Sequence, residues 1–140
     1  MKSALDISLS GLIAQRQRMN TIAGNIANAS STTQYADGNG KPSPFRRRII
    51  TFAAKTESLD SQTGAAGVEF QIEQDYKTPF RKVHNPAHKL ADKDGNVLYP
   101  NINLINESIN MMAAGRAYEA NIAAIEMTSE MSDASYRILG

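Results

Sequence analysis

SALDISLSGLIAQRQRMNTIAGNIANA, residues 3–29, decides the fold of this chain because it lacks proline and repeats apolar side chains at helical spacing. Four of these side chains follow one another at intervals of seven: Leu5, Leu12, Met19 and Ile26. Proline is excluded from helix interiors because it has no backbone N–H and clashes with the preceding turn. A repeat of three, four and seven residues is typical of an amphipathic helix. The stretch therefore predicts one helix over residues 3–29.

The other end of the chain, residues 104–138, has the same character. It also lacks proline, and its apolar residues again recur every seven positions: Leu104, Met111, Tyr118 and Ile125. Asn103 is a suitable N-cap, and Glu107 falls in the first turn, where the helix dipole favours an anion. We therefore predict a second helix over residues 104–138.

Both helices are much longer than the usual helix of about 12 residues, and small side chains interrupt their apolar stripes. Such helices need partners to be stable. The simplest partner is the other helix of the same chain, as in an ordinary intramolecular pair. Asparagines within the stripes favour subunit assembly instead, because polar residues in a helix seam fix register and partner choice. The expected assembly residues are Leu5, Leu12, Met19, Ile22, Asn25, Ile26, Asn28, Leu104, Met111, Tyr118, Asn121, Ile122 and Ile125.

The two ends of the chain also differ in the sign of their net charge. Residues 1–29 carry three basic and one acidic side chain, whereas residues 104–140 carry two basic and five acidic ones. These opposite signs favour pairing of the two helices, within a chain or between chains, although exposed ion pairs contribute modestly.

The middle of the chain holds all five prolines and reads as β-rich. Strands are predicted at 45–52, at 68–73 from strict apolar–polar alternation, and at 96–99 after the Asp94-Gly95 turn signal. Residues 30–44 are polar and predict a mobile loop. The expected fold is α+β, in which long N- and C-terminal helices pair as a coiled-coil-like assembly domain beside a small β-rich middle domain. The predicted segments are 1–29, 30–103 and 104–140.

Composition excludes several classes of protein. The 140 residues include no cysteine, which removes disulfide scaffolds, cysteine zinc sites and thiol chemistry. A net charge of +1 provides no global attraction to nucleic acid or anionic lipid. No apolar run reaches the roughly 18 residues of a membrane span. The first twelve residues have no continuous apolar region, so we expect no cleavable signal peptide.

Candidate chemical sites in the middle of the chain are weak. His84, His88, Asp92 and Asp94 could hold a metal, but Pro86 separates the histidines, and a solvated loop with a hairpin turn is the better interpretation. Three consecutive arginines, residues 46–48, would point to alternate faces of a strand, which favours a solvated or subunit-contacting face over nucleic-acid binding. No nucleotide, nucleophile or paired-carboxylate motif occurs. We therefore predict no catalytic residue, no metal and no cofactor.

The two ends together resemble a known family. The N-terminal stretch from Ala4 to Asn28, with its Asn-Ile-Ala-Asn element at residues 25–28, resembles bacterial flagellar rod and hook proteins. Tyr99-Pro100-Asn101-Ile102-Asn103 and the Arg-Ala-Tyr-Glu-Ala-Asn run at 116–121 resemble the proximal rod members in particular. Residues 83–86, 91–92 and 95 add to this likeness. The sequence departs from the wider family after Asn28, where no glycine precedes Tyr35.

This resemblance implies a structural subunit of the flagellar basal body that is exported by the flagellar type III apparatus. It implies polymerisation with itself and with other rod proteins, by heterologous contacts, into a hollow periplasmic shaft that transmits torque from motor to hook. The alternative is a helical export chaperone or adaptor that binds a client in the cytoplasm. A chaperone should be a folded, usually acidic dimer, whereas this chain is near neutral and its ends need partners.

Overall fold

Two long helices open and close the chain, as the sequence predicts. The computed structural model describes residues 2–33, 35–36, 42–55 and 67–139. Helix α1 spans Lys2–Ala27, with 26 residues, and helix α2 spans Leu104–Leu139, with 36. Asn103 is the N-cap of α2, because its Oδ1 accepts the backbone N–H groups of Ile105 at 3.0 Å and Asn106 at 3.3 Å. The predicted helices and the predicted cap are therefore confirmed.

Over its described residues, the middle of the chain forms three two-stranded pairs, β1 with β2, β3 with β4, and β5 with β6. Their bounds are β1 Tyr35–Ala36, β2 Pro42–Ser43, β3 Arg48–Ala54, β4 Val68–Gln74, β5 Arg81–His84 and β6 Asn96–Tyr99. The first and third pairs are antiparallel. The fold class is α+β with a β-rich middle, as predicted.

The predicted strands are found, with shifted limits. The strands expected at 68–73 and 96–99 are β4 and β6, whereas β3 begins three residues after the predicted start at 45. The first two of those residues, Phe45 and Arg46, are engaged in other contacts, since the Phe45 N–H binds the Ser31 carbonyl at 3.0 Å. In the predicted mobile loop, β1 and β2 pair, while residues 34 and 37–41 lie outside the described residues.

Contacts along the chain define two compact units. The first unit comprises Met1–Asn20, Ile50–Gln71 and Asn110–Gly140, and the second comprises Thr21–Ile49 and Ile72–Ile109. Each helix therefore contributes one segment to each unit.

The two units differ in what they bury. Among the described residues, the buried apolar side chains of the second unit are larger than those of the first unit. In the second unit they are Ile22, Phe45, Val97 and Ile102. In the first unit they are Ala14 and Ala114. Since hydrophobic stabilisation scales with buried apolar area, the second unit has the stronger core.

Candidate functional site

Asn25 lies at the centre of a buried polar cluster in the second unit. Its side chain is 1% exposed, and both of its amide atoms form hydrogen bonds. Oδ1 accepts the Arg48 N–H at 2.9 Å, and Nδ2 donates to the Arg48 carbonyl at 2.8 Å and to Glu107 Oε2 at 3.1 Å. This residue therefore links the end of α1 to the start of β3 and to the first turn of α2.

Glu107 is the charged partner of this cluster and is also 1% exposed. Its Oε1 accepts hydrogen bonds from Arg47 Nη2 at 2.7 Å and Nε at 2.8 Å, so the guanidinium neutralises the carboxylate directly. A buried carboxylate is tolerated only when it is paired and hydrogen-bonded. Glu107 thus does more than complement the helix dipole, which is the role that its position in the sequence predicts.

Arg46 and Asn101 extend the cluster to the turn after β4. Arg46 Nη1 donates to the Asp75 carbonyl at 2.8 Å, and its guanidinium lies over the rings of Phe80 at 4.2 Å and Tyr76 at 4.8 Å. Asn101 Oδ1 accepts the backbone N–H of Arg47 at 2.9 Å, and its Nδ2 donates to the Asp75 carbonyl at 3.2 Å.

These contacts correct the interpretation of the arginine run as a solvated or subunit-contacting face for Arg46 and Arg47, whereas the Arg48 side chain is exposed, as predicted. Arg46 stacks on aromatic rings, Arg47 pairs with a buried acid, and the Arg48 backbone binds Asn25. The sequence could not distinguish these roles, because three adjacent arginines look alike and their partners lie up to 60 residues away. Arg47, Glu107, Asp75 and Asn101 are therefore structural residues that sequence reasoning missed.

The Asp75 side chain closes the turn that follows β4. Its Oδ2 accepts the Thr78 hydroxyl at 2.7 Å, and its Oδ1 accepts the backbone N–H groups of Lys77 and Thr78 at 3.0 Å each. These hydrogen bonds, led by that of the Thr78 hydroxyl, lower the pKa of Asp75 below 3.8, and the charge of Arg47 acts in the same direction.

The loop between β5 and β6 ends in the predicted turn. Asp92 Oδ1 accepts the N–H groups of Asp94 at 3.0 Å and Asn96 at 2.8 Å, and Gly95 adopts a positive φ of 74°. Only glycine adopts this conformation readily. In the part of the chain that the structure describes, no three histidine or acidic side chains are grouped to hold a metal.

The first unit brings α1 close to α2 and to the start of β4. A Cβ at Gly11 would lie 3.3 Å from Asn121 Nδ2, so the backbone of α1 approaches that side chain closely. The Ser10 hydroxyl donates to the Ile7 carbonyl at 2.7 Å and accepts the Val68 N–H at 2.9 Å. Both of these contacts involve polar side chains.

Several large apolar side chains of the first unit are exposed. Three methionines of α2 are largely exposed: Met112 by 60%, Met127 by 58% and Met131 by 70%. The others are Ile7, Leu9, Ile13, Phe52, Phe70, Ile122 and Tyr136. The second unit also exposes large apolar side chains, among them Tyr76, Leu104, Ile105 and Ile109, so the two units differ in what they bury rather than in what they expose.

The predicted assembly residues fall into three groups. Ile22 and Asn25 are buried in the second unit, and Leu104 and Ile122 are exposed. The remaining residues are half-buried: Leu5, Leu12, Met19, Ile26, Asn28, Met111, Tyr118, Asn121 and Ile125. The most exposed apolar positions, such as Ile105 and Met131, lie outside the predicted set, although their three- and four-residue spacing from neighbouring apolar residues could have indicated them.

The two asparagines of the Asn-Ile-Ala-Asn element have different structural tasks. Asn25 belongs to the polar cluster, whereas Asn28 closes α1. Asn28 Nδ2 donates to the Gly24 carbonyl at 2.8 Å, and its Oδ1 accepts the Ser31 hydroxyl at 3.2 Å. The Gly24 carbonyl also accepts the backbone N–H of Asn28 at 3.2 Å, so Asn28 binds the last turn of α1 through both its backbone and its side chain. Neither helix, over the described residues, is apolar for long enough to cross a bilayer.

Comparisons with known proteins agree with this architecture. Residues 5–35 match the family model described as flagella basal body rod protein, and residues 93–138 match that of the flagellar basal body rod FlgEFG protein C-terminal region. The chain is similar to the flagellar basal-body rod protein FlgC of Borreliella burgdorferi, at 36% identity over 98% of this chain and 96% of the relative. It is also similar to FlgC of Aquifex aeolicus, at 36% identity over 96% and 93% of the two chains. FlgC of Escherichia coli is 36% identical over 90% of this chain and 88% of its own. Because this likeness extends over nearly the whole chain, the chain belongs to the FlgC family of flagellar basal-body rod proteins.

Proposed function

We propose that this structural subunit of the basal-body rod polymerises through its two terminal helices into the hollow shaft that transmits torque from motor to hook. The observation that carries the proposal is the contrast between the two units. The first unit fully buries Ala14 and Ala114 among its described apolar side chains and leaves Met112, Met127 and Met131 largely exposed. Neighbouring subunits would supply the missing apolar contacts.

The larger part of the proposed assembly surface lies on the two helical segments in the first unit. Leu5, Leu12, Met19, Met111 and Tyr118 are half-buried there, so each retains area for a neighbour. Asn121, Ile122 and Ile125 continue this surface on α2. Ile22, Asn25 and Asn28 support it from the second unit by fixing the end of α1. Leu104 and Ile26 complete the proposed set.

In this proposal residues 1–29 and 104–140 are the assembly segments, and residues 30–103 form the middle domain. Contacts that pair different surfaces of identical subunits, and that do not close into a ring, generate a helical tube. We further propose that the flagellar type III export apparatus delivers the chain to the periplasm before its first unit is ordered. Deferred ordering suits a unit with a weak core of its own. Because the chain belongs to the rod family, polymerisation is preferred to the alternative function of an export chaperone.

Substitution of the assembly surface by carboxylates tests the proposal. Met19→Asp and Ile125→Asp should block incorporation into the basal body and leave export intact, because a buried unpaired carboxylate is strongly unfavourable. Both side chains are half-buried within the subunit, so a carboxylate there could also impair folding. Met112→Asp distinguishes the two effects, because the Met112 side chain is 60% exposed and its replacement should affect assembly but not folding. Lys93→Asp, in the exposed turn before β6, is the matched control. Normal incorporation of all three helix variants would refute polymerisation through these helices.

A further inference from the structure

A groove with an apolar floor and a basic rim lies beside β5 and β6 in the second unit. It consists of two cavities of about 410 and 540 Å³ that share Thr32 and Leu90. Lys82 and Leu98, which are paired across β5 and β6, line one cavity, and Lys89 lines the other. Leu90 and Leu98 are 37% and 42% exposed, so the floor of the groove is not covered by its own unit.

The charged side chains that line this groove are two lysines and one aspartate. Lys82 and Lys89 form no ion pair within the part of the chain that the structure describes. Asp92 also lines the groove and its Oδ1 accepts the N–H groups of Asp94 and Asn96, so two lysines and one carboxylate leave the groove with an excess of positive charge. An apolar groove edged by lysines suits an amphipathic helix that presents apolar and acidic side chains together.

The end of α2 has this pattern. Met127 and Met131 are spaced by four residues and are 58% and 70% exposed. Three exposed acids lie beside them on the helix surface at spacings of four and three: Glu126, Glu130 and Asp133. None of the three forms an ion pair with a described residue. Like charges at these spacings weaken a helix by a few tenths of a kcal/mol per pair, so a cationic partner would relieve their repulsion.

We propose that the groove of the second unit binds residues 126–134 of α2 from a second copy of the chain. The two methionines contact Leu90 and Leu98, and the carboxylates of the helix face Lys82 and Lys89. Because groove and helix are different surfaces, the contact repeats from copy to copy without closing between two subunits. This inference rests on the proposed polymerisation, and it names one contact within it.

The absence of cysteine makes disulfide cross-linking a direct test. Cells would co-express two differently tagged copies, one with Leu98→Cys and the other with Met131→Cys, and isolated basal bodies would be oxidised. We expect a disulfide-linked dimer of the two copies. The control pairs Met131→Cys with Val83→Cys, which lies next to Lys82 on β5 and therefore on the opposite face of the strand. The control should yield at least tenfold less dimer.

Charge reversal then tests the basic rim. Lys82→Glu with Lys89→Glu should lower the yield of dimer at least threefold, and Glu126→Lys with Glu130→Lys in the other copy should restore it. Two results overturn the inference: basal bodies that contain both cysteine variants but no dimer, or a disulfide from Leu98→Cys to a different protein. In either case the variant subunits have entered the basal body, so the proposed polymerisation would still hold and only this contact would be refuted. If a cysteine variant is not incorporated, Leu90→Cys or Met127→Cys replaces it.

Discussion

At the scale of single residues, three nitrogen donors make the burial of the Glu107 carboxylate tolerable. Arg47 supplies Nε and Nη2, and Asn25 supplies Nδ2. An isolated carboxylate would lose several kcal/mol of hydration in the protein interior. The same bonds constrain the fold. Because both oxygens of the Glu107 carboxylate accept hydrogen bonds, a shift of α1, β3 or α2 along its neighbours would break at least one of them. We infer that specificity of register, rather than net stability, is the main contribution of this cluster.

Removal of the carboxylate should therefore be costly. Glu107→Ala leaves the Arg47 guanidinium half-buried without its counter-ion, and we expect the free energy of unfolding to fall by about 3 kcal/mol. Urea denaturation followed by far-UV circular dichroism measures this loss. Glu119→Ala, at an exposed acid of the same helix, is the control and should change stability by less than about 0.5 kcal/mol. Equal effects of the two substitutions would contradict the role of Glu107.

Asp75 makes part of the stability dependent on pH. Its pKa in the folded protein is lowered below 3.8, chiefly by the hydrogen bond from the Thr78 hydroxyl. A lowered folded-state pKa contributes stability that is present above the unfolded-state pKa and is lost as the pH falls through the folded-state value. Asp75→Asn should thus destabilise the protein by about 1 kcal/mol at neutral pH, and the difference should shrink below about pH 4. Urea midpoints at several pH values test this, and a difference independent of pH would disprove it.

At the scale of elements, the helices were predictable because their determinants are local. The absence of proline and the apolar repeat define α1 and α2, and Asn103 is a cap by residue type alone. Strands β4 and β6 follow from alternation and from a glycine at positive φ. Strands β1 and β2 have two residues each, too few to show a period. The polar cluster was not predictable, because Asn25 and Glu107 are separated by 82 residues.

Two glycines of α1 should respond differently to the same substitution. A Cβ at Gly24 meets no atom within 4 Å, so Gly24→Ala should raise the free energy of unfolding by about 1 kcal/mol through helix propensity. A Cβ at Gly11 lies 3.3 Å from Asn121 Nδ2, and the displacement of that side chain offsets the gain. Urea denaturation of Gly24→Ala and Gly11→Ala measures the two effects. Equal stabilisation by both would show that the close approach at Gly11 is unimportant.

At the scale of the whole molecule, the buried side chains are distributed unevenly. The buried polar residues in the described part of the chain all belong to the second unit: Thr21, Asn25, Asp75, Asn101 and Glu107. The large buried apolar side chains belong to it as well. The first unit contains most of both helices, yet Ala14 and Ala114 are the buried apolar side chains among its described residues, which supports the proposal that neighbouring subunits complete it. A helical segment without a packed core has little stability of its own.

This asymmetry should appear in amide hydrogen exchange of the unassembled protein. Local opening is easiest where few apolar contacts are buried, so amides of residues 2–20 and 110–139 should exchange at least about tenfold faster than those of 21–27 and 96–109. The boundary should fall within each helix, near Asn20 in α1 and Asn110 in α2, where the units divide. In isolated basal bodies the fast segments should become protected, because neighbouring subunits then cover them. Uniform protection of both helices in the unassembled protein would mean that the first unit is stable alone, and its exposed apolar surface would no longer argue for ordering by assembly.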